Sequence, residues 1–375
     1  MKILYVLDWP IDSIGGAQKS TYTIATEIEK KHNEVYLCCP RGDSNGYHEK
    51  IKYLYHDIHG NTILDKIKKI LFYKKIIKLY KFDIIHIQNP TSFSLIGILL
   101  IINKRLKKNT KYVFTDRDFF SAYKKKQRYL FKLISKNFEH IICTTNQNKK
   151  QWDLYFERVL VIPNVLDFDW YNYEEKKEIQ TKSENDMMNS FVLGFGGRFV
   201  KYKRWDTVYE ICNELKNKDV KFAFVFGTAT PKEEKDVEEF IRRLERIISG
   251  KYKYYKNVSS EKMKEFYYLI DCFVLTSEKE SFGRTLLEAM TKKNVVLGTN
   301  SGGVPDVINN ENYLFEVGEV KKVIDSVLQY LENPVTLRKD KEYFYKYVQT
   351  KFSTDIMIEK HLEIYIKIMN YNGDK

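Results

Sequence analysis

Short apolar runs return along the chain at helix-length intervals: KILYVLD, EVYLCCP, FDIIHIQ, KYVFTD, HIICTT and VLVIPN, then FVLGFGG, KFAFVFG, CFVLTS and NVVLGTN. Each run is strand-length and apolar at nearly every position, as a strand covered on both faces must be. Between the runs lie stretches of helical periodicity that can supply the covers, so the pattern predicts parallel α/β sheets. The series breaks at residues 171–190, YNYEEKKEIQTKSENDMMNS, which are polar, charged and without a long apolar run. This segment reads as a linker between two Rossmann-like domains, residues 1–170 and 191–350, and an amphipathic helix in 351–375 closes the chain.

Composition narrows the picture. At 375 residues, 43% hydrophobic and 30% charged, the chain has the length of about two domains and can bury real cores. The longest apolar stretch, FSLIGILLII, has ten residues, well short of the roughly 20 that a membrane-spanning helix needs. The opening MKILYVLDWP offers one Lys and a five-residue apolar run before Asp8, which reads as a first strand and not as a secretory signal. Cys38, Cys39, Cys143, Cys212 and Cys272 sit inside apolar runs without metal-ligand spacing, as expected of core thiols in a reduced, cytoplasmic protein.

Net charge is +13 and unevenly placed: residues 1–170 carry 29 Lys and Arg against 17 Asp and Glu, and residues 171–375 carry 34 against 33. Such asymmetry points the first half at a polyanion. Its densest part, DKIKKILFYKKIIKLYK (65–81), sets Ile67, Ile70, Leu71, Ile77 and Tyr80 near helical spacing among seven lysines. That is a basic amphipathic helix, expected either to lie on an anionic membrane surface or to cover a sheet with its lysines solvated. No aromatic-interleaved RNA motif or zinc finger is present, so nucleic acid is not an expected partner.

Four stretches carry candidate chemistry. SEKESFGRTLLEAM (277–290) follows a strand and opens a helix, placing Glu280 in the loop and Glu288 within the helix, with Phe282 and Gly283 between. Two carboxylates near a helix N-terminus can accept from neighbouring sugar hydroxyls. LGFGGRFVKYKRWD (193–206) has Gly197 for close backbone approach and Arg198 and Lys203, five apart, as cations for one diphosphate. It lacks the third glycine of a dinucleotide fingerprint, the place being taken by Phe199. DWPIDSIGGAQKST (8–21) offers Gly15 and Gly16 between a strand and a helix, and NSGGVPDVI (300–308) is a further glycine turn.

In this order, and with Ile162-Pro163-Asn164 closing the first domain, these stretches resemble the retaining GT-B glycosyltransferases of family four over nearly the whole chain. The resemblance implies a GT-B fold, two facing Rossmann-like domains with the C-terminal helix returning to the first. It further implies transfer from a nucleotide-sugar donor, UDP favoured, to a surface polysaccharide or lipid-linked glycan, at the inner membrane face. Arg198 and Lys203 would bind the diphosphate, Glu280 the transferred sugar and Glu288 the ribose, with Gly15, Gly16, Gly197, Phe282, Gly283 and Arg284 also at the donor.

As the glycosidic bond breaks, negative charge grows on the diphosphate, where fixed cations and a helix N-terminus stabilise it. No metal or other cofactor is then expected, and the DxD-like Asp116-Arg117-Asp118 and Asp167-Phe168-Asp169 read as structural or acceptor-side. One departure stands out: many members carry His then Asp after the strand matching KYVFT, where this chain has Arg117 and Asp118. An Arg is a fixed cation that does not titrate. His86, at the end of its strand, is a further acceptor-side candidate, with a plain hydrogen-bonded role as the equal alternative. A nucleotide-sugar epimerase and a non-catalytic partner subunit of the same architecture remain as rival readings.

Overall fold

The computed structural model describes residues 1–13, 15–42, 49–60 and 62–370. In chain order the elements are β1 (Lys2–Val6), α1 (Gly16–Lys30), β2 (Glu34–Pro40), β3 (Lys52–His56), α2 (Ile63–Tyr80), β4 (Ile84–Ile87), α3 (Pro90–Ile102), β5 (Lys111–Asp116), α4 (Lys125–Ser135), β6 (His140–Cys143), α5 (Asn146–Asp153) and β7 (Val159–Val161). There follow α6 (Glu175–Glu184), β8 (Phe191–Arg198), α7 (Trp205–Leu215), β9 (Val220–Gly227), α8 (Pro231–Ile248), β10 (Tyr252–Lys256), α9 (Ser260–Leu269) and β11 (Cys272–Leu275). The last are α10 (Arg284–Thr291), β12 (Val295–Thr299), α11 (Val304–Ile308), β13 (Leu314–Phe315), α12 (Lys321–Glu332), α13 (Pro334–Lys351) and α14 (Thr354–Asn370). Two compact units result: Met1–Asp167 with Thr354–Lys375, and Phe168–Ser353.

The first unit is a seven-stranded sheet ordered β3-β2-β1-β4-β5-β6-β7, parallel at every pairing. Alternation along β1 shows why the runs are wholly apolar. Leu4 and Val6 enter a core with Tyr73 and Ile76 of α2, Phe93 of α3 and Phe131 of α4. Ile3 and Tyr5 enter the opposite core, with Ile24 and Ile28 of α1 and Met357 and Tyr365 of α14. Gly97 lets α3 approach α4 closely, since a Cβ there would lie 2.6 Å from Cβ of Ile134.

The second unit holds six parallel strands, β10-β9-β8-β11-β12-β13. The stretch expected as a linker, 171–190, folds into this unit instead. Its helix α6 packs on α9 and buries no whole residue; it is anchored by the end of Lys182, 2.7 Å from Asp271. Asp271 also meets Lys341 at 2.6 Å and accepts from the amide of Val192 at 2.9 Å. Although burial opposes ionisation, the two ammonium groups and these bonds hold its carboxyl at about 2. A helix attached by the tips of polar side chains has no apolar periodicity to betray it. All five thiols are buried and unbridged, and among the described residues no helix is long and apolar enough to cross a membrane.

Candidate functional site

In the second unit the strand order reverses between β8 and β11: the chain runs outward from β8 through β9 to β10, and β11 starts the other side. Loops leaving the carboxyl ends of such a strand pair diverge, and the crevice between them is where open α/β sheets bind ligands. The two strongest motifs supply these two loops. At the carboxyl end of β8, Gly197 has φ +152°, and a Cβ there would stand 3.5 Å from Cε of Lys203. The chain then turns through residues 201–203 and delivers the Lys203 ammonium 2.5 Å from Oε2 of Glu280, in the loop after β11. Backbone contacts fix that meeting. Thr276 donates its hydroxyl to the Lys203 carbonyl at 2.8 Å, and the Glu278 amide donates to the Tyr202 carbonyl at 2.8 Å.

The third loop of this unit, after β12, joins the same cluster. The Gly303 amide donates to the Glu280 carbonyl at 2.8 Å, and the Ser301 hydroxyl donates to the Glu278 carbonyl at 2.5 Å. Three sequence motifs over a hundred residues of chain are thus drawn to adjacent strand ends.

Helix α10 begins beside them. Gly283 caps it at φ +88°, a left-handed conformation that would strain any larger residue. Phe282 before it is buried. Glu288, one turn into the helix and 8% exposed, takes Nε of Arg284 at 3.0 Å and the hydroxyl of Tyr267 at 3.1 Å. Burial and the neighbouring Glu288 push the Tyr267 phenol well up, so it stays a hydrogen-bond donor. Arg198 differs from the expectation of two cations converging. Its guanidinium, 51% exposed, pairs with Glu233 on the first turn of α8 at 2.8 Å, so Arg198 and Lys203 are held by different carboxylates. Tyr267 and Thr276 escaped the sequence reading because their contacts join elements that no local spacing connects. Ser277, whose hydroxyl is buried without a partner, lay inside the motif but had no pattern to single it out.

The remaining candidates, Asp169 apart, belong to the first unit. Gly15 precedes α1 in an extended conformation open to any residue, and a Cβ there would lie 2.3 Å from Oε1 of Gln18, the end of a flexible side chain that can swing aside. Gly16 opens α1. His86 is not at an open strand end but wholly buried, with Nδ1 2.5 Å from the Tyr365 hydroxyl of α14 and Nε2 2.7 Å from the Thr115 hydroxyl. Burial, with His361 and Arg117 nearby, drives its pKa well down, so the ring is neutral. Arg117 gathers the strand ends: it donates to Oε1 of Gln88 at 2.7 Å and Oδ1 of Asn164 at 3.1 Å. Gln88 also accepts from Thr21 of α1 at 3.2 Å, and its buried Nε2 has no partner.

Asp118 is raised by burial against the pull of Arg117. Asp116 is pushed up to about 6 by burial, and takes hydrogen bonds from the Trp152 indole and the Tyr123 hydroxyl, both at 2.7 Å. Asp167 is bonded by Thr23, and Asp169 pairs with Lys264. Among the described residues no three His, Cys, Asp or Glu gather as a metal site.

Known proteins share this organisation. Residues 14–170 match the family model Glycosyltransferase Family 4, and residues 176–350 match Glycosyl transferases group 1. An uncharacterised 41.2 kDa protein of the cps region of Klebsiella pneumoniae is 24% identical over 91% of this chain and 96% of its own. The capsular polysaccharide biosynthesis glycosyltransferase CapM of Staphylococcus aureus is 25% identical over 62% of this chain and 60% of its own. The crystal structure of Anabaena HepE in complex with UDP and glucose superposes with a TM-score of 0.79 over 97% of this chain and 99% of that one, at 16% identity. With two parallel-sheet units of this order, each matched by its own family model, the chain belongs to the GT-B glycosyltransferases, joining Glycosyltransferase Family 4 to Glycosyl transferases group 1.

Proposed function

We propose that the protein transfers a sugar from a UDP-sugar to a surface polysaccharide or lipid-linked glycan, with retention at the anomeric carbon and without a metal. The observation that carries this reading is the Lys203–Glu280 pair, 2.5 Å apart at the switch point of the second sheet. In the free protein each is the other's counter-ion. Donor binding exchanges these partners: the Lys203 ammonium turns to the diphosphate, and Glu280 accepts from hydroxyls of the transferred sugar. Both ions are kept mostly from water, so the exchange replaces one charge-assisted contact by another and leaves no buried charge unpaired.

As the bond to the anomeric carbon breaks, charge builds on the leaving diphosphate. Lys203 and the amino end of α10 lie where that charge can be met, and Arg198 adds to the field once released from Glu233. Glu288, already oriented by Arg284 and Tyr267, retains lone pairs for ribose hydroxyls. Arg117, Gln88 and Asp118 of the first unit form the acceptor side. The choice of UDP draws on HepE, whose structure holds UDP and glucose. The class of acceptor draws on CapM and on the poly(ribitol-phosphate) transferase of Staphylococcus aureus, 26% identical over 65% of this chain and 47% of its own. A membrane-borne acceptor of this class would put the reaction at the inner face of the membrane.

Thermal unfolding with a panel of UDP, GDP, ADP and TDP sugars tests the donor, because a ligand of the native state raises the transition by mass action. UDP-sugars are expected to give the largest shift, and cleavage of the best donor is expected to persist in excess EDTA. A larger shift with another base would overturn the UDP assignment, and complete, manganese-reversible loss in EDTA would overturn the metal-free mechanism.

A further inference from the structure

Helices α2, α3 and α4 lie side by side over one face of the first unit's sheet. The segments forming this layer, residues 62–81, 90–109 and 123–137, hold seventeen Lys and Arg against one acid, Asp65. Asp65 is already engaged, closing the amino end of α2 in a reciprocal cap with Thr62. On the opposite face, α1 and α14 balance four cations against five acids. Among the described residues the ion pairs of the first unit, Lys30–Glu27, Arg41–Asp57, Lys52–Glu34 and Lys149–Asp153, all lie outside the α2, α3 and α4 layer.

Charge alone would be a solvated face. This one is also greasy. Helix α2 buries Tyr73, Ile76 and Ile77 toward the sheet, yet Leu64, Ile67 and Leu71, on successive turns of the outward face, are 48 to 69% exposed. Ile102 at the end of α3 is 75% exposed, and Tyr129 and Leu133 of α4 are exposed as well. Lys68, Lys75 and Lys78 stand around the α2 stripe. A helix apolar on two faces needs two apolar neighbours, and the fold provides one. Between the ends of α2 and α3 a cavity of about 780 Å³ is lined by Lys78, Lys81, Lys104, Arg105 and Lys108, with no acid. It suits a phosphate-bearing headgroup.

We propose that the α2, α3 and α4 layer docks the protein on an anionic bilayer, with the aliphatic stripe of α2 entering the interface and the basic cavity seating lipid phosphates. Aliphatic side chains ringed by lysines match acyl chains beneath charged headgroups, whereas a nucleic acid offers them no apolar partner. The proposal rests on the function above only for the presence of a membrane-borne acceptor, and binding is read separately from turnover.

The test is co-sedimentation of the full chain with vesicles of phosphatidylglycerol in phosphatidylcholine, against phosphatidylcholine alone. Binding is expected to the anionic vesicles only, and to weaken in about 0.5 M salt, where the Debye length is roughly 4 Å. Replacing the exposed Lys66, Lys68, Lys75 and Lys78 by Gln should lower partitioning by about tenfold or more. Leu64→Ser with Ile67→Ser and Leu71→Ser should lower it with the lysines intact. Both variants should keep wild-type donor cleavage in solution. Equal binding of wild type and the lysine variant, equal binding to neutral vesicles, or tight binding to nucleic acid with none to vesicles would overturn the proposal. If docking holds while no donor is cleaved, the proposed function fails and the membrane surface stands.

Discussion

Lys203 and Glu280 show how a site is set by partners that sequence spacing cannot display. The glycines, the cations and the two glutamates stood out as candidates because their residue types have few structural uses in that order after a strand. Their present partners were not: Arg198 on Glu233, Lys203 on Glu280 and Glu288 between Arg284 and Tyr267 all depend on rotamers and on helices distant in the chain. For His86 the structure bears out the plainer of two readings, a hydrogen-bonded histidine. A histidine near a strand end looked ligand-facing, yet α14, arriving from the far end of the chain, covers it. If Glu288 holds the ribose with bonds equally strong before and during the reaction, Glu288→Ala is expected to raise the donor KM with little change in kcat. Steady-state kinetics over a range of donor concentrations checks this, and an unchanged KM would remove Glu288 from the ribose.

Among the elements, ten strands were legible, whereas the edge strands β3, β10 and β13, mixed in polarity or only two residues long, were not, and the helices were less so. Parallel strands covered on both sides have no alternative to a continuous apolar run, whereas α6 is held by Lys182 on Asp271 and so passed for a linker. Helix packing also turned on single residues invisible as motifs. Gly97 is one: α3 and α4 meet where it has no side chain. Gly97→Ala is expected to cost about 1–3 kcal/mol through overpacking against Ile134, despite the higher helix propensity of alanine. Chemical denaturation measures it, and a variant as stable as wild type would show that α4 can retreat at no cost.

For the molecule as a whole, the uneven charge in the sequence became a single face, a step that needed the layering of helices over the sheet. Lys69 marks the limit of the sequence reading: it lies in the basic helix but is buried, reaching the Gly60 carbonyl. The first unit also stores a response to acid. His361 of α14 is buried, donates Nδ1–H to the Met357 carbonyl at 2.8 Å, and is lowered to about 4 by burial and by Arg117. Its native state therefore binds the proton less readily than the unfolded chain, so stability present above pH about 6.5 is lost as pH falls toward 4. At pH 5 the loss from this group is about 2 kcal/mol. Asp116, raised to about 6, acts with the opposite sign, so total stability mixes both and a difference is the clean readout. The gap between wild type and His361→Gln should narrow by that amount from pH 7.5 to 5. Parallel stability profiles would contradict a neutral, buried His361.

The proposed chemistry turns on one exchange of partners, Lys203 from Glu280 to a donor diphosphate. The direct measurement is kcat for cleavage of the best UDP-sugar by wild type and by Lys203→Ala, at saturating donor and with the unfolding temperature of each recorded. A fall of roughly a hundredfold or more, with the fold intact, is the predicted result for loss of one preorganised charge-stabilising donor. Near wild-type turnover in a folded Lys203→Ala protein would contradict it.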